Sequence, residues 1–468
     1  VEGGVASTAT ADDVARLFGR AAFGATKTDL TNWTGKDYAA MVESLFPTAT
    51  SLPSLPDEPR RKQLESATTD LLAVQRWWLN RMATTPTPFL ERMVLFWHTH
   101  FATGYTGDVT AGDLVVQNQT IRANALGDFR QLAYQLTVDP GMLVWLSGIQ
   151  NRVNAVNENY GRELLELFVC GTKPQVYTET DIRQAAKALT GWTINSNRKA
   201  TFTSGRHDRT VKHVLGATIG GYPANDAREA TEYQLVVDAA LNASTTATFL
   251  AYKMVCSFAY VPASTDLIAN PDPLVTAVAA ALRPSTPTGV WDIAAGMRTL
   301  LLHDAFRYPD RANGKGLVRS PIEITVHLSK PMGVNLDPLG GINNTSAYAN
   351  NVPIVALRRM GQVPFQPPNV GGWPKGTQWL SAITTQARYD LGQYLMTPYG
   401  SQSRKNTNPL PASTDTAGWT SFLGLGSLSP LTQSRLSSYL ASPGTSDEAT
   451  KQTSVLLLLS SSPDWQVM

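Results

Sequence analysis

The sequence predicts a mainly α-helical protein, and three observations carry that prediction. Apolar residues recur three and four apart through most of the chain. Short polar residues able to cap a helix, Asp181, Asp226 and Ser320 among them, stand near the starts of such stretches. Residues suited to strands gather in one place only, between Trp192 and Leu215.

The elements follow in order. Positions 57–82 carry Leu64, Leu71, Leu72, Trp77, Trp78 and Leu79 at helical spacing, which predicts one long helix. A second begins near Thr87, where Pro88 holds a tolerated early position and Leu90, Met93, Val94 and Trp97 share a side. It runs into Trp97-His98-Thr99-His100-Phe101. Further helices are predicted at 108–124, 127–138, 157–169, 178–189, 231–241, 247–258, 290–302 and 321–328. Thr193, Ile194, Thr201, Phe202, Thr203, Val211 and Val214, interrupted by polar turns, predict a small β-hairpin excursion near 193–215. Positions 1–397 thus form a main helical domain. Positions 398–447, loaded with Ser, Thr, Pro and Gly, predict a surface excursion, and 448–468 a C-terminal helix that docks back because Val455 to Leu459 need burial.

Composition narrows the function. The chain has 468 residues, 43% of them hydrophobic, enough for a sizeable core. Its 39 Lys and Arg against 37 Asp and Glu give a formal charge of +2, which supplies no field for nucleic acid or acidic lipid. No apolar run approaches the roughly 20 residues of a membrane span. Two cysteines, Cys170 and Cys256, exclude a disulfide framework and a cysteine-built zinc site but leave one bridge open. Phosphate-binding glycine loops, His-Glu-X-X-His, Gly-X-Ser-X-Gly and EF-hand patterns are absent. The start at Val1 and the abundance of Thr, Ser and Asn suit a secreted protein whose signal has been removed.

Four segments could carry chemistry. In Asn157-Glu158-Asn159-Tyr160-Gly161-Arg162-Glu163-Leu164-Leu165-Glu166-Leu167-Phe168, the apolar residues fall on one arc and Glu158, Arg162, Glu163 and Glu166 on the other. Arg162 stands four from both Glu158 and Glu166, so it can bind either. This is a solvated ion-paired face or a carboxylate cluster in a cleft. His98 and His100 can share a metal only if the helix ends near Trp97, since residues two apart in a helix face opposite ways. Arg206-His207-Asp208-Arg209 is a polar turn or part of a site. The loop at 360–380 holds Pro364, Pro367, Pro368, Gly371, Gly372, Trp373 and Pro374, and is either a structural clasp or a wall for a sugar-like ligand.

These segments together resemble the bacterial DUF1800 family. The resemblance rests on 15–24 (Ala15-Arg16-Leu17-Phe18-Gly19-Arg20-Ala21-Ala22-Phe23-Gly24), 91–101, 157–171, 177–193, His207-Asp208 and 360–373, in that order, and covers nearly the whole chain. It implies an exported protein, secreted or held at the cell envelope, and no reaction. Many relatives carry His where this chain has Phe168, so a mechanism needing histidine there does not transfer.

Three functions are expected in turn. The first is a hydrolase acting on extracellular glycan or another envelope polymer. Glu158, Glu163, Glu166, Asp208 and His98 would be its catalytic groups, and His100, Asn157, Arg162, His207 and Trp373 would bind substrate. On one helix Glu158 lies about 7.5 Å along the axis from Glu163 and about 12 Å from Glu166, a spacing for inversion unless Asp208 is the partner. The second is a metal enzyme, with His98, His100, a glutamate from the 158–166 helix and His207 or Asp208 holding a divalent transition metal. The third is a non-catalytic surface or assembly protein whose polar motifs are structural.

Overall fold

Helices carry most of the described residues, and many of their starts are set by side chains that the sequence places there. The computed structural model describes residues 8–47, 58–266, 269–308, 316–337, 352–396, 408–442 and 447–467. Thr10, Thr26, Thr110, Thr178 and Ser320 each form a capping box with the acidic residue three positions on, so two orphan N–H groups are satisfied at each start. Ser320 and Asp226 cap as expected, whereas Asp181 acts from inside the helix as the acidic partner of Thr178.

Three elements differ from the expectation. The single helix over 57–82 is two, Glu58–Glu65 and Leu71–Thr84. Asp70 restarts the helix by accepting the Ala73 N–H at 3.0 Å, and the Ala67 and Thr68 carbonyls turn instead to the N–H groups of Gly112 and Ala111. The 157–169 helix begins as α-helix at Asn159–Glu163 and widens to a π-helix over Leu164–Val169, with the Cys170 N–H reaching back five residues to Leu165. The hairpin region is two antiparallel hairpins, Trp192–Ile194 with Ala200–Phe202 and Val211–Val214 with Ala217–Gly220. Leu215 and Gly216 both take positive φ, 49° and 83°, the requirement of a two-residue turn that matches strand twist.

Among the described residues a main apolar core draws on the chain from Ala9 to Trp465, and Val318, Trp373 and Trp379 form a small separate cluster. Helix Pro88–His100 lies deep in the main core, with Phe89, Met93, Val94 and Trp97 wholly buried. The described part of 398–447 carries helices Thr416–Phe422 and Pro430–Ala441 and buries Trp419, Leu423, Leu425 and Leu436 in that core. Helix Glu448–Ser460 docks through Val455, Leu456 and Leu459, and Val467 pairs with Val318. Cys170 and Cys256 are both buried and free, so the bridge left open does not form. No described helix is long and apolar enough to cross a membrane.

Candidate functional site

The carboxylate helix sits at the surface. Arg162 grips Glu179 with both arms, Nη1 at 3.0 Å and Nη2 at 2.6 Å, and also reaches Glu166 at 3.4 Å and Glu158 at 3.7 Å. Glu158 accepts a further bond from Arg183 at 2.9 Å. Tyr160, Leu164, Leu165 and Phe168 fill the core behind, as the helical arc predicts. Glu163 makes no ion pair among the described residues, and its carboxyl is shifted up from its ordinary value by burial and by the charge of Glu166, against an opposing pull from Arg162. Next to this ladder lies an open polar groove of about 750 Å³ lined by Gln150, Arg152, Asn157, Glu158 and Arg206. Asn157 holds the groove's edge, donating its N–H to Asn151 and accepting that of Asn159, both at 2.9 Å.

The histidines do not join it. Helix Pro88–His100 continues through both, so His98 and His100 face apart, against the expectation that it stops near Trp97. His98 accepts the Phe365 N–H on Nε2 at 3.2 Å and packs edge-on against Trp78. Burial holds its pKa down at about 3. His100 donates from Nε2 to the Phe168 carbonyl at 2.9 Å inside a ring of Phe96, Trp97, Phe101 and Phe129. Burial, then Lys253, keeps it neutral, with a pKa far below the ordinary value. Neither imidazole reaches solvent or the carboxylate ladder.

His207 belongs to a third, separate group. Its Nδ1 donates to the Thr190 carbonyl at 2.9 Å, and its Nε2 lies 3.3 Å from Glu232 Oε2, which also pairs with Lys212 Nζ at 2.6 Å. All three side chains are fully enclosed. Asp208 turns the other way. Its Oδ1 accepts from the Thr210 N–H and hydroxyl, and Lys187 stands 3.7 Å from Oδ2. Burial alone would raise its carboxyl, but these partners hold it below the ordinary value, which suits an anchor and not an acid. Asp208 and His207 therefore leave the catalytic and substrate-binding set. With His98, His100 and His207 in three surroundings, the metal site expected from them does not assemble, and the described residues contain no group of three or more His, Cys, Asp and Glu able to hold an ion.

Trp373 is also no open sugar platform. It is 4% exposed and lies against His98, ring centres 5.4 Å apart. It lines a small pocket of about 70 Å³ with Arg20, Arg92, Cys256, Glu323 and Lys375.

Sequence reasoning passed over two buried charge centres. Glu91 is wholly enclosed and accepts from Trp78 Nε1 at 3.1 Å, Arg81 Nε at 3.2 Å and Arg122 Nη2 at 2.8 Å. Arg92 pairs with Glu323 at 2.7 Å. The signal for both was present: Glu91 and Arg92 interrupt a helix that is apolar all round, and charges on such a helix must find partners inside. Glu232 with Lys212 had no comparable signal, since the two meet only through the second hairpin.

A family model described as "Protein of unknown function (DUF1800)" matches residues 16–467. No curated protein and no solved structure matches the chain.

Proposed function

The chain belongs to the DUF1800 family, and from that premise we propose that it is an extracytoplasmic hydrolase acting on glycan, with Glu163 as the acid and Glu166 as its carboxylate partner. One observation carries the reading: two carboxyls three positions apart have opposed surroundings. Glu163 has its proton affinity raised by burial and by its neighbour, while Glu166 is ion-paired to Arg162. Glycosidic cleavage needs that division, an acid to protonate the leaving oxygen and a carboxylate to meet the oxocarbenium-like centre.

Positions three apart on a helix bring Cβ atoms to about 5–6 Å, nearer the spacing of a retaining pair than an inverting one. Glu158, about 140° round the axis from Glu163, is turned away from it and falls to a binding role beside Asn157. The groove of Gln150, Arg152, Asn157 and Arg206 offers amide and guanidinium donors to sugar hydroxyls. The π-helical turn that begins at Leu164 re-aims Glu166 relative to Glu163, and such turns often occur at functional positions.

The test is release of reducing ends from a panel of peptidoglycan, chitin, xylan and β-glucan. Wild type should release them from at least one, and Glu163→Gln should lose about 100-fold or more. Both carboxyls are part-exposed, so the amide variants should fold. No release from any polymer, or full activity in Glu163→Gln, would overturn the proposal. A second reading, a glycan-binding protein without turnover, is favoured by the way Arg162 ties down three carboxylates. It predicts retention of wild type on one of the same polymers with no reducing ends formed.

A further inference from the structure

We propose that Lys212 and Glu232 condense into an internal amide crosslink that ties the second hairpin covalently to helix Glu232–Leu241. The argument is independent of the carboxylate helix. Lys212 Nζ stands 2.6 Å from Glu232 Oε2, and neither side chain has any exposure. His207, equally enclosed, places Nε2 3.3 Å from the same oxygen and 3.5 Å from Nζ. An amine, a carboxyl and an imidazole are thus mutual neighbours, sealed from bulk water. No ligand can reach them, so the chemistry open to them is with each other.

As an ion pair the arrangement is incomplete. An enclosed pair recovers its desolvation cost only when its remaining lone pairs and protons are also satisfied. Nζ has a second acceptor in the Asp208 carbonyl, but Glu232 Oε1 is buried with no hydrogen-bond partner. There is no slack around it. A Cβ on Gly220 would lie 2.8 Å from Oε1 and 3.0 Å from Nζ, so the hairpin backbone closes over the two groups and holds them together. Condensation removes both buried charges at once. Groups held in reacting geometry act at effective concentrations of about 10⁵–10⁸ M, and a dry site denies the reverse hydrolysis its water.

The step balances without an outside reagent. His207 carries its proton on Nδ1, given to the Thr190 carbonyl at 2.9 Å, and in the neutral ring this leaves Nε2 bare to take a proton from the Lys212 ammonium. The freed Nζ electron pair forms a bond to Glu232 Cδ and the Cδ–Oε2 bond breaks. The departing oxygen receives the proton held by His207 and a second one from the nitrogen. One ammonium and one carboxylate become one neutral amide and one water, and nothing is oxidised or reduced.

The experiment is intact-mass spectrometry of the purified full chain in denaturing solvent. Expected is a mass one water, about 18 Da, below that of the sequence. Trypsin should then release a branched species joining 210–228 to 229–253, since an acylated Lys212 is no longer cut. Lys212→Arg, which keeps the charge, should show its full calculated mass. His207→Gln should leave at least tenfold more unlinked chain than the wild type, and linkage as complete as in the wild type would overturn the role of His207. Because mass is read on unfolded chains, the wild type decides the main question even where a variant fails to fold. A wild type at full mass, a deficit that persists in Lys212→Arg, or a deficit without the branched species would overturn the crosslink.

Discussion

Three buried imidazoles, His98, His100 and His327, are held in their neutral forms by burial, reinforced at His98 and His327 by what a ring nitrogen touches. His98 Nε2 receives an N–H from Phe365, so a proton there would set donor against donor. His327 Nδ1 receives Arg319 Nη1 at 2.7 Å, so protonation would bring two cations together. Burial pushes all three pKa values down, His98 to about 3. The folded pKa lies below the unfolded value near 6.5, so this stability is full above pH 6.5 and drains as pH falls, for His98 until about pH 3. Each imidazole costs about 1.4 kcal/mol per pH unit. Asp139, raised to about 7 by burial, works in the opposite sense and gains stability as pH falls from 7. Three against one leaves a net loss that starts at about 1 kcal/mol per unit near pH 6.5 and steepens toward about 3 kcal/mol per unit below pH 5.5. Thermal melts at pH 7 and pH 5 should show a clear drop at the lower value. A flat or rising melting temperature would contradict the neutral assignments. The His-X-His pattern was visible in the sequence, but the fact that the helix runs on through it, and hence the separate fates of the two rings, depended on Phe168 and Phe365, which lie far along the chain.

At the scale of elements, the amphipathic arc of the 157–169 helix was legible because its apolar and charged faces obey a single period. Its π-helical end was not, since the widened turn answers to the packing of Leu164, Leu165 and Phe168 against the core and not to local preference. The partners Glu179 and Arg183 come from the next helix, so Arg162 could be matched to Glu158 and Glu166 but not to the residue it holds most tightly. Helix Pro88–His100 shows the same limit from inside. Its Glu91 joins Leu71–Thr84 to Ala111–Asn124 through Arg81 and Arg122. Burial alone would raise the Glu91 carboxyl, but Arg122, Arg81 and the Trp78 N–H hold it below its ordinary value. Glu91→Gln removes the carboxylate that Arg81 and Arg122 share and leaves Arg122 without a carboxylate partner among the described residues. The expected loss is about 3–5 kcal/mol, read from the urea midpoint. A loss under about 1 kcal/mol would mean that the pair is dispensable to the core.

Over the whole molecule, the two ends of the chain close the structure on each other. Asp12 accepts the Ser427 N–H at 2.8 Å, and Gly424, with φ of 62°, comes so near the Ala25 carbonyl that a Cβ there would lie 2.0 Å from its oxygen. Helices Thr416–Phe422 and Pro430–Ala441 escaped the sequence reading because few apolar residues anchor them, Trp419, Leu423 and Leu436 chief among them, within Ser- and Thr-rich surroundings. The last helix was legible because five apolar residues in a row, Val455 to Leu459, have nowhere to go but inward. Its docking reaches the centre. Arg319 donates from Nε to the Trp465 carbonyl at 2.6 Å, and the Trp465 ring stacks on His327 at 5.1 Å. A chain ending after Ser442 would bare the sites filled by Val455, Leu456, Leu459 and Trp465 and take a buried partner from Arg319. At about 1.5–3 kcal/mol for each large side chain, the apolar loss alone is about 6–12 kcal/mol as an upper bound. That is comparable to the whole stability of a typical domain, about 5–15 kcal/mol. The truncated chain should therefore express insoluble, or lose near-ultraviolet circular dichroism while keeping its helical signal. A soluble truncation melting cooperatively within about 2 °C of the intact protein would show that the tail rests on a core complete without it.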